Sequence, residues 1–202
     1  MRIWNVNDYV KLTDKEVDWF DKNLIYGGGL KSVSRPDLER GLLLYYLCKK
    51  YKVKNALDLG TAGFFSARAM AKSGAQVTTI DIKGEKDPRD GWDNIEFIKG
   101  NSRDILPKLL AEGKKYDIVF VDGDHGYEGV KFDLQYSKKM CKLIVAHDYG
   151  NLSDVTRAIN EELEGFDLIL CDRMWKGAPY ENGIDRHGSP VDYGIIVVEN
   201  EI

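Results

Sequence analysis

The chain has 202 residues, 43% of them hydrophobic and 31% charged, with 29 Lys+Arg against 33 Asp+Glu for a net charge of −4. At about 150 residues per domain this is one domain, and it can bury roughly 70% of its unfolded surface without a metal or disulfide staple. The acidic balance excludes the whole-domain basic signature of a duplex-binding protein, so no nucleic acid partner is expected. Uncharged apolar runs such as Ile118–Val121 and Leu143–Ala146 are too short to cross a bilayer, so no membrane is expected either.

Residues 1–20 lack a signal peptide's apolar core and carry Asp8, Asp14, Glu16 and Asp18. The three cysteines, Cys48, Cys141 and Cys171, are an odd number with no Cys-x-x-Cys spacing. They read as reduced thiols of a cytoplasmic protein, without a zinc site.

In chain order, residues 1–52 read as a helical N-terminal cap and 53–202 as the core of the single domain. Thr13-Asp-Lys-Glu16 is a capping box, and Ser34-Arg-Pro-Asp37 puts a cap and an early proline where a helix begins. Seven short β-type runs then follow: 55–59, 76–82, 95–99, 116–122, 143–147, 167–171 and 193–199. The early ones are almost continuously apolar, as strands buried on both faces are. Gly74 sits where the helix after the first run stops. Ser153 opens a later helix whose Val155, Ala158, Ile159 and Leu163 share one face.

Alternation at this spacing predicts an α/β fold: one doubly wound, mostly parallel seven-stranded sheet covered by helices. The last two runs have no helix between them and pair as an antiparallel hairpin, with the C-terminal strand at the edge. Residues 83–94 and 173–192 are long polar loops after strand ends, where open α/β sheets bind ligands. Met1–Leu30, hinged at Tyr26-Gly-Gly-Gly29, and the 173–192 loop are expected to wall the substrate.

Two features point to a nucleoside-containing cofactor. Ala56-Leu-Asp58-Leu-Gly60-Thr61-Ala-Gly63 is a buried strand running into a glycine turn and then a helix, whose first N–H groups lack partners. Asp81 ends the next strand, 21 residues after Gly60, where a carboxylate can accept from both ribose hydroxyls. The glycine spacing is not the G-x-G-x-x-G of nicotinamide enzymes, and little chain remains for a separate substrate region.

At the fourth strand, Val121-Asp122-Gly-Asp124-His125-Gly-Tyr127-Glu128 places several polar side chains at the end of an apolar run. Asp122 and His125, three apart, can face one cleft, and an Asp can hold an imidazole in one tautomer and raise its basicity. Ala146-His147-Asp148-Tyr149 follows the fifth strand. With these residues the chain resembles the class I S-adenosylmethionine-dependent methyltransferases, and more narrowly a small bacterial group typified by the Val-Asp-Gly-Asp-His motif.

That resemblance runs from about Leu57 to Ile159. It implies S-adenosylmethionine as cofactor, with Asp58, Gly60, Thr61, Gly63, Asp81, Asn101, Ser102 and Asp122 binding it. It departs from the family in one place: the second glycine of the loop commonly stands one residue later, where this chain has Phe64. The implied reaction is methyl transfer to an oxygen of a small polar molecule, with His125 removing the hydroxyl proton and Asp122 orienting it. The metal-dependent relatives imply Asp122, His147 and Asp148 as ligands of Mg²⁺ or another divalent cation, although an imidazole suits Mg²⁺ poorly.

Rival readings are an N-methyltransferase, a NAD-dependent sugar oxidoreductase and a non-catalytic nucleoside-cofactor-binding protein. The oxidoreductase would use a Tyr-x-x-x-Lys pair, and Tyr127-Glu-Gly-Val-Lys131 has that spacing. The acceptor's identity and any homo-oligomer stay open at this level.

Overall fold

Strands that read as apolar throughout become the middle of the sheet. The computed structural model describes residues 1–20, 35–83, 91–170 and 194–200. In chain order the elements are β1 (Arg2–Asn5), α1 (Val6–Tyr9), α2 (Asp14–Phe20), α3 (Arg35–Lys50), β2 (Asn55–Leu59), α4 (Phe65–Lys72), β3 (Gln76–Asp81), β4 (Ile95–Lys99), α5 (Ser102–Ala111), β5 (Tyr116–Val121), α6 (Tyr127–Met140), β6 (Cys141–Tyr149), α7 (Ser153–Glu162), β7 (Asp167–Leu170) and β8 (Gly194–Glu199).

They form one eight-stranded sheet in the order β1-β7-β8-β6-β5-β2-β3-β4. All neighbours pair in parallel except at β8, which is antiparallel to both β6 and β7. The β7–β8 hairpin is therefore as expected. Its last strand, however, lies inside the sheet, because β7 and β1 extend the sheet beyond it. The eighth strand is the second departure from expectation: β1 falls within the segment read as purely helical. Its four residues are too few to show a period, and their partner β7 stands at the far end of the chain, with Arg2 opposite Asp167.

Side-chain alternation divides the core into two layers. Ala56, Ile118, Phe120, Leu143 and Val145 pack with α3 and α4 on one face. Leu57, Leu59, Val119, Val121, Ile144 and Ala146 pack with α5, α6 and α7 on the other. Local signals hold where they were read. Thr13 Oγ1 accepts from Glu16 N at 3.4 Å while the Glu16 carboxylate accepts from Thr13 N at 2.9 Å. Gly74 (φ +97°) follows α4 and donates to Ala71. Val155, Ala158, Ile159 and Leu163 are buried beneath α7.

The strand order turns back on itself between β2 and β5, and it is there that an open α/β sheet leaves a crevice at its carboxyl ends. Gly60 follows β2 at that point with φ +95°, and a Cβ on it would stand 2.1 Å from the Asp122 carbonyl oxygen. Only glycine accommodates both the left-handed backbone and so close an approach.

Candidate active site

A cleft of about 440 Å³ opens at the switch point. Leu59 and Gly60 line it from β2, Ile80–Ile82 from β3, Gly100–Ser102 from β4 and α5, Gly123–Gly126 from the turn after β5, and Asp133 from α6. Of the expected cofactor residues, Gly60, Asp81, Asn101 and Ser102 line this cleft. Asp58, Thr61, Gly63 and Asp122 do not.

Asp58 shows why. It is fully buried, and alternation turns it with Ala56 toward α3 and α4 rather than to the sheet end. Thr79 donates to its Oδ2 at 2.6 Å, and the Thr79 hydroxyl is in turn hydrogen-bonded to that of Thr61. Burial raises the Asp58 carboxyl to about 6, against the opposing hydrogen bonds of Thr79 and Ser66. Asp58 and Thr61 thus form a polar prop under the glycine turn. Above them Ala62 (φ +40°) and Phe64 (φ +62°) are left-handed, and the Ala62 N–H donates to Asp81 Oδ2 at 2.8 Å. Phe64 holds that conformation where the resembled family commonly has glycine, its ring set edge-on to Phe97 at 5.6 Å.

Beside the cleft lies a cluster of opposite charges. Asp122, first residue past β5, keeps the parity of Ile118 and Phe120 and so faces α3. His147 keeps that of Leu143 and Val145. Strict alternation would send Asp148 to the opposite face, but the β6–β8 register shifts between Ala146 and Tyr149, and Asp148 takes φ +60°. The bulge re-aims Asp148 onto the same side as His147. His147 Nδ1 stands 3.3 Å from Asp122 Oδ1 and 3.1 Å from Asp148 Oδ1. His125 Nε2 stands 3.6 Å from Asp122 Oδ1 and 3.2 Å from Asp148 Oδ2. Arg40, from α3, donates to Asp122 Oδ2 at 2.7 Å.

The charges tune one another. Asp122, and then Asp148, raise His125 to about 10, although it is half exposed. Burial works against the His147 cation, yet the same two carboxylates outweigh it and raise His147 to about 9. Burial likewise opposes ionisation of Asp122 and Asp148, but the imidazoles hold both carboxyls below the ordinary range. With no cation bound, both histidines are therefore protonated at pH 7.

Stability should follow. His147 is raised above its ordinary value of 6.5, so its stabilisation is complete below that pH and lost as pH rises through about 9. In the presence of chelator, the melting temperature of the wild type should fall more steeply between pH 7 and 10 than that of His147→Gln. Parallel curves would remove His147 from the pH response.

Asp122, His125 and Asp148 each offer one ligand atom, all within 4.8 Å of one another. Two carboxylates and an imidazole suit a divalent cation of intermediate hardness. The geometric trio contains His125, where the sequence pointed to His147.

Other expectations fall away from the cleft. Lys131 Nζ donates to the Tyr127 hydroxyl at 2.8 Å, that hydroxyl is bonded to Glu161 of α7, and Arg157 covers the ring at 4.0 Å. The Tyr-x-x-x-Lys spacing builds a clamp between α6 and α7, and neither residue lines the cleft. Residues 1–20 contribute nothing to the cleft lining, and Glu16 of α2 instead meets Tyr45 and Lys49 of α3. The hinge at Tyr26–Gly29 and the 173–192 loop lie outside the described residues.

Arg40 escaped the sequence reading. Its trace there is a lone cation just before the apolar run Gly41–Leu44, at the start of a buried helical face.

Residues 57–149 match the family model described as a methyltransferase domain. In fold the chain is similar to an O-methyltransferase from Bacillus cereus solved with SAH, at 17% identity and TM-score 0.61, covering 96% of this chain and 95% of that one. It is also similar to TomG from Streptomyces achromogenes, an O-methyltransferase of tomaymycin synthesis solved with SAM. There the identity is 17% and the TM-score 0.62, over 98% and 97% of the two chains. Cofactor-bound Rv0187 from MTB gives 20% identity and TM-score 0.59, over 95% and 100%. No curated protein matches the sequence.

A doubly wound sheet with an inserted antiparallel strand is the fold that this chain shares with those methyltransferases. The match to the methyltransferase-domain model takes in 93 of the 202 residues, from within β2 to the end of β6.

Proposed function

We propose that the protein moves the methyl group of S-adenosylmethionine to an oxygen of a small polar acceptor bound over the Asp122–His125–His147–Asp148 cluster. The observation that carries this reading is the bulge at Asp148, which brings a second carboxylate within 3.2 Å of His125, a residue that lines the cleft. The O-methyltransferases of like fold support it.

In this mechanism Gly60 lets the cofactor approach the β2 turn and Asp81 accepts from the ribose hydroxyls. Positioning of acceptor and methyl contributes on the order of 7–11 kcal/mol. His125, half exposed at the cleft mouth, is the group placed to take the acceptor's proton. Asp122 and Asp148 orient the hydroxyl, and Arg40 fixes Asp122. Alternatively Asp122, His125 and Asp148 would hold a divalent cation, which would occupy the His125 lone pair and would itself lower the hydroxyl pKa in place of that base. His125 must be neutral to accept a proton. Cation-free activity should therefore climb with pH toward about 10, and Mg²⁺ or Mn²⁺ should move that rise to lower pH.

The first 52 residues take part through Arg40, so the helical cap supplies one wall of the site. The buried free thiols of Cys48 and Cys141 support a reducing, cytoplasmic setting. No described helix is long and apolar enough to cross a membrane.

The test is product analysis with methyl-labelled S-adenosylmethionine and paired acceptors differing only in hydroxyl or amine, with Mg²⁺, with Mn²⁺ and after chelation. O-methyl product supports the reading. N-methyl product alone overturns it.

A further inference from the structure

The cleft contains a buried acid that the mechanism above does not use. Asp133 lies on α6, is 1% exposed, and neither of its carboxylate oxygens has a hydrogen-bond partner. It occupies the buried stripe Val130-Asp133-Leu134-Ser137-Met140, where an apolar residue would pack without penalty. A buried polar group left unpaired costs about 1–3 kcal/mol, so its presence needs an explanation. The Ser102 hydroxyl, the Arg103 guanidinium and the Asp124 carboxylate are the polar groups that act on it, and burial raises its carboxyl to about 6.

Asp133 lines the same cleft as Asp81, at the part formed by Asn101, Ser102 and Gly126. With ribose at Asp81 and the methyl-bearing end toward the Asp122 cluster, the base of the cofactor is what remains to occupy this part. Ile82, 62% exposed beside Asp81, offers that base an apolar wall. The Asn101 side chain is already engaged, accepting from Arg103 N at 2.9 Å as the cap of α5. On this side Asp133 keeps acceptor capacity to spare. Neither oxygen is within hydrogen-bond distance of a donor, the Ser102 hydroxyl is the one that acts on it, and a carboxylate has about four acceptor sites.

We propose that Asp133 accepts a hydrogen bond from the exocyclic amine of the bound base, making the cleft selective for a 6-amino purine over a 6-oxo purine. This rests on the reading of the cleft as the S-adenosylmethionine site. An adenine amine turns two N–H donors outward and satisfies the acid. A 6-oxo group turns an acceptor toward a carboxylate and leaves both unpaired. Sites built to pair a substrate donor discriminate strongly against analogues lacking it, because their own polar group is then stranded.

The experiment is calorimetric binding of S-adenosylhomocysteine and S-inosylhomocysteine to the wild type and to Asp133→Asn. The wild type should prefer the amino form by about 10²-fold or more. Asp133→Asn, which can donate from its amide, should weaken S-adenosylhomocysteine at least tenfold and bring the preference near unity or reverse it. Equal wild-type affinities overturn the proposal without need of a variant, as does a preference that Asp133→Asn leaves unchanged; in both cases the cofactor assignment survives. A wild type that binds neither nucleoside overturns the cofactor assignment itself, and Asp133's role with it.

Discussion

Asp148→Ala should lower kcat by roughly 10²–10⁴-fold while leaving S-adenosylhomocysteine affinity within about twofold. Asp148 lies outside the cofactor cleft lining, so cofactor binding has little to lose. It is, however, the carboxylate that approaches His125 most closely and one of two that hold His147 charged. Its removal leaves half-exposed His125, buried His147 and Arg40 facing Asp122 alone, a cluster of cations short of counter-charge. Both imidazoles should then titrate lower, so the residual activity should have a less alkaline pH rise. Asp148→Asn, which keeps the shape, should be nearly as inactive if charge is what matters. Steady-state kinetics with calorimetry on the same samples checks this, and near-wild-type turnover in either variant would exclude the cluster from the chemistry.

Asp81→Ala should weaken S-adenosylhomocysteine binding by about 10²-fold or more. Hydrogen bonds to a charged acceptor contribute about 1.5–3 kcal/mol each, and the ribose offers two hydroxyls. Asp81 also ties its own strand end to the glycine turn: Oδ2 accepts from Ala62 N at 2.8 Å and Oδ1 from Lys83 N at 2.6 Å. An ionised carboxylate has about four acceptor sites, so these bonds and the ribose bonds coexist. The unligated fold should persist, since β3 remains paired to β2 and β4. The thermal shift on adding ligand should therefore collapse while the ligand-free melting temperature changes little. An undiminished ligand shift would mean that the nucleoside sits elsewhere.

How much of this was legible in the residues depends on the range of the interaction concerned. Asn55–Leu59 forms over the expected residues, because a strand buried on both faces writes its length into a largely apolar run. Ile95–Lys99 does so as well, although it is an edge strand with Glu96 and Lys99 exposed. The glycine turn, Asp81 one strand over and the polar end of β5 were likewise readable, since backbone demands and strand ends leave local marks. β1 was not, because a four-residue strand has no period and its partner is distant in sequence.

The chemistry divides the same way. Sequence alone determined the class of fold, the glycine turn after β2 and the nomination of Asp122, His125, His147 and Asp148. It could not say which of these side chains meet, because adjacent residues on a regular strand point to opposite faces and only the bulge at Asp148 reverses that rule. Nor could it show that Asp58 turns beneath the glycine loop, that Arg40 of α3 bonds Asp122, or that Asp133 of α6 is buried without a partner. Those facts are set by the parity of paired strands and by helices packed across the sheet, and such contacts exist only once distant segments are brought together.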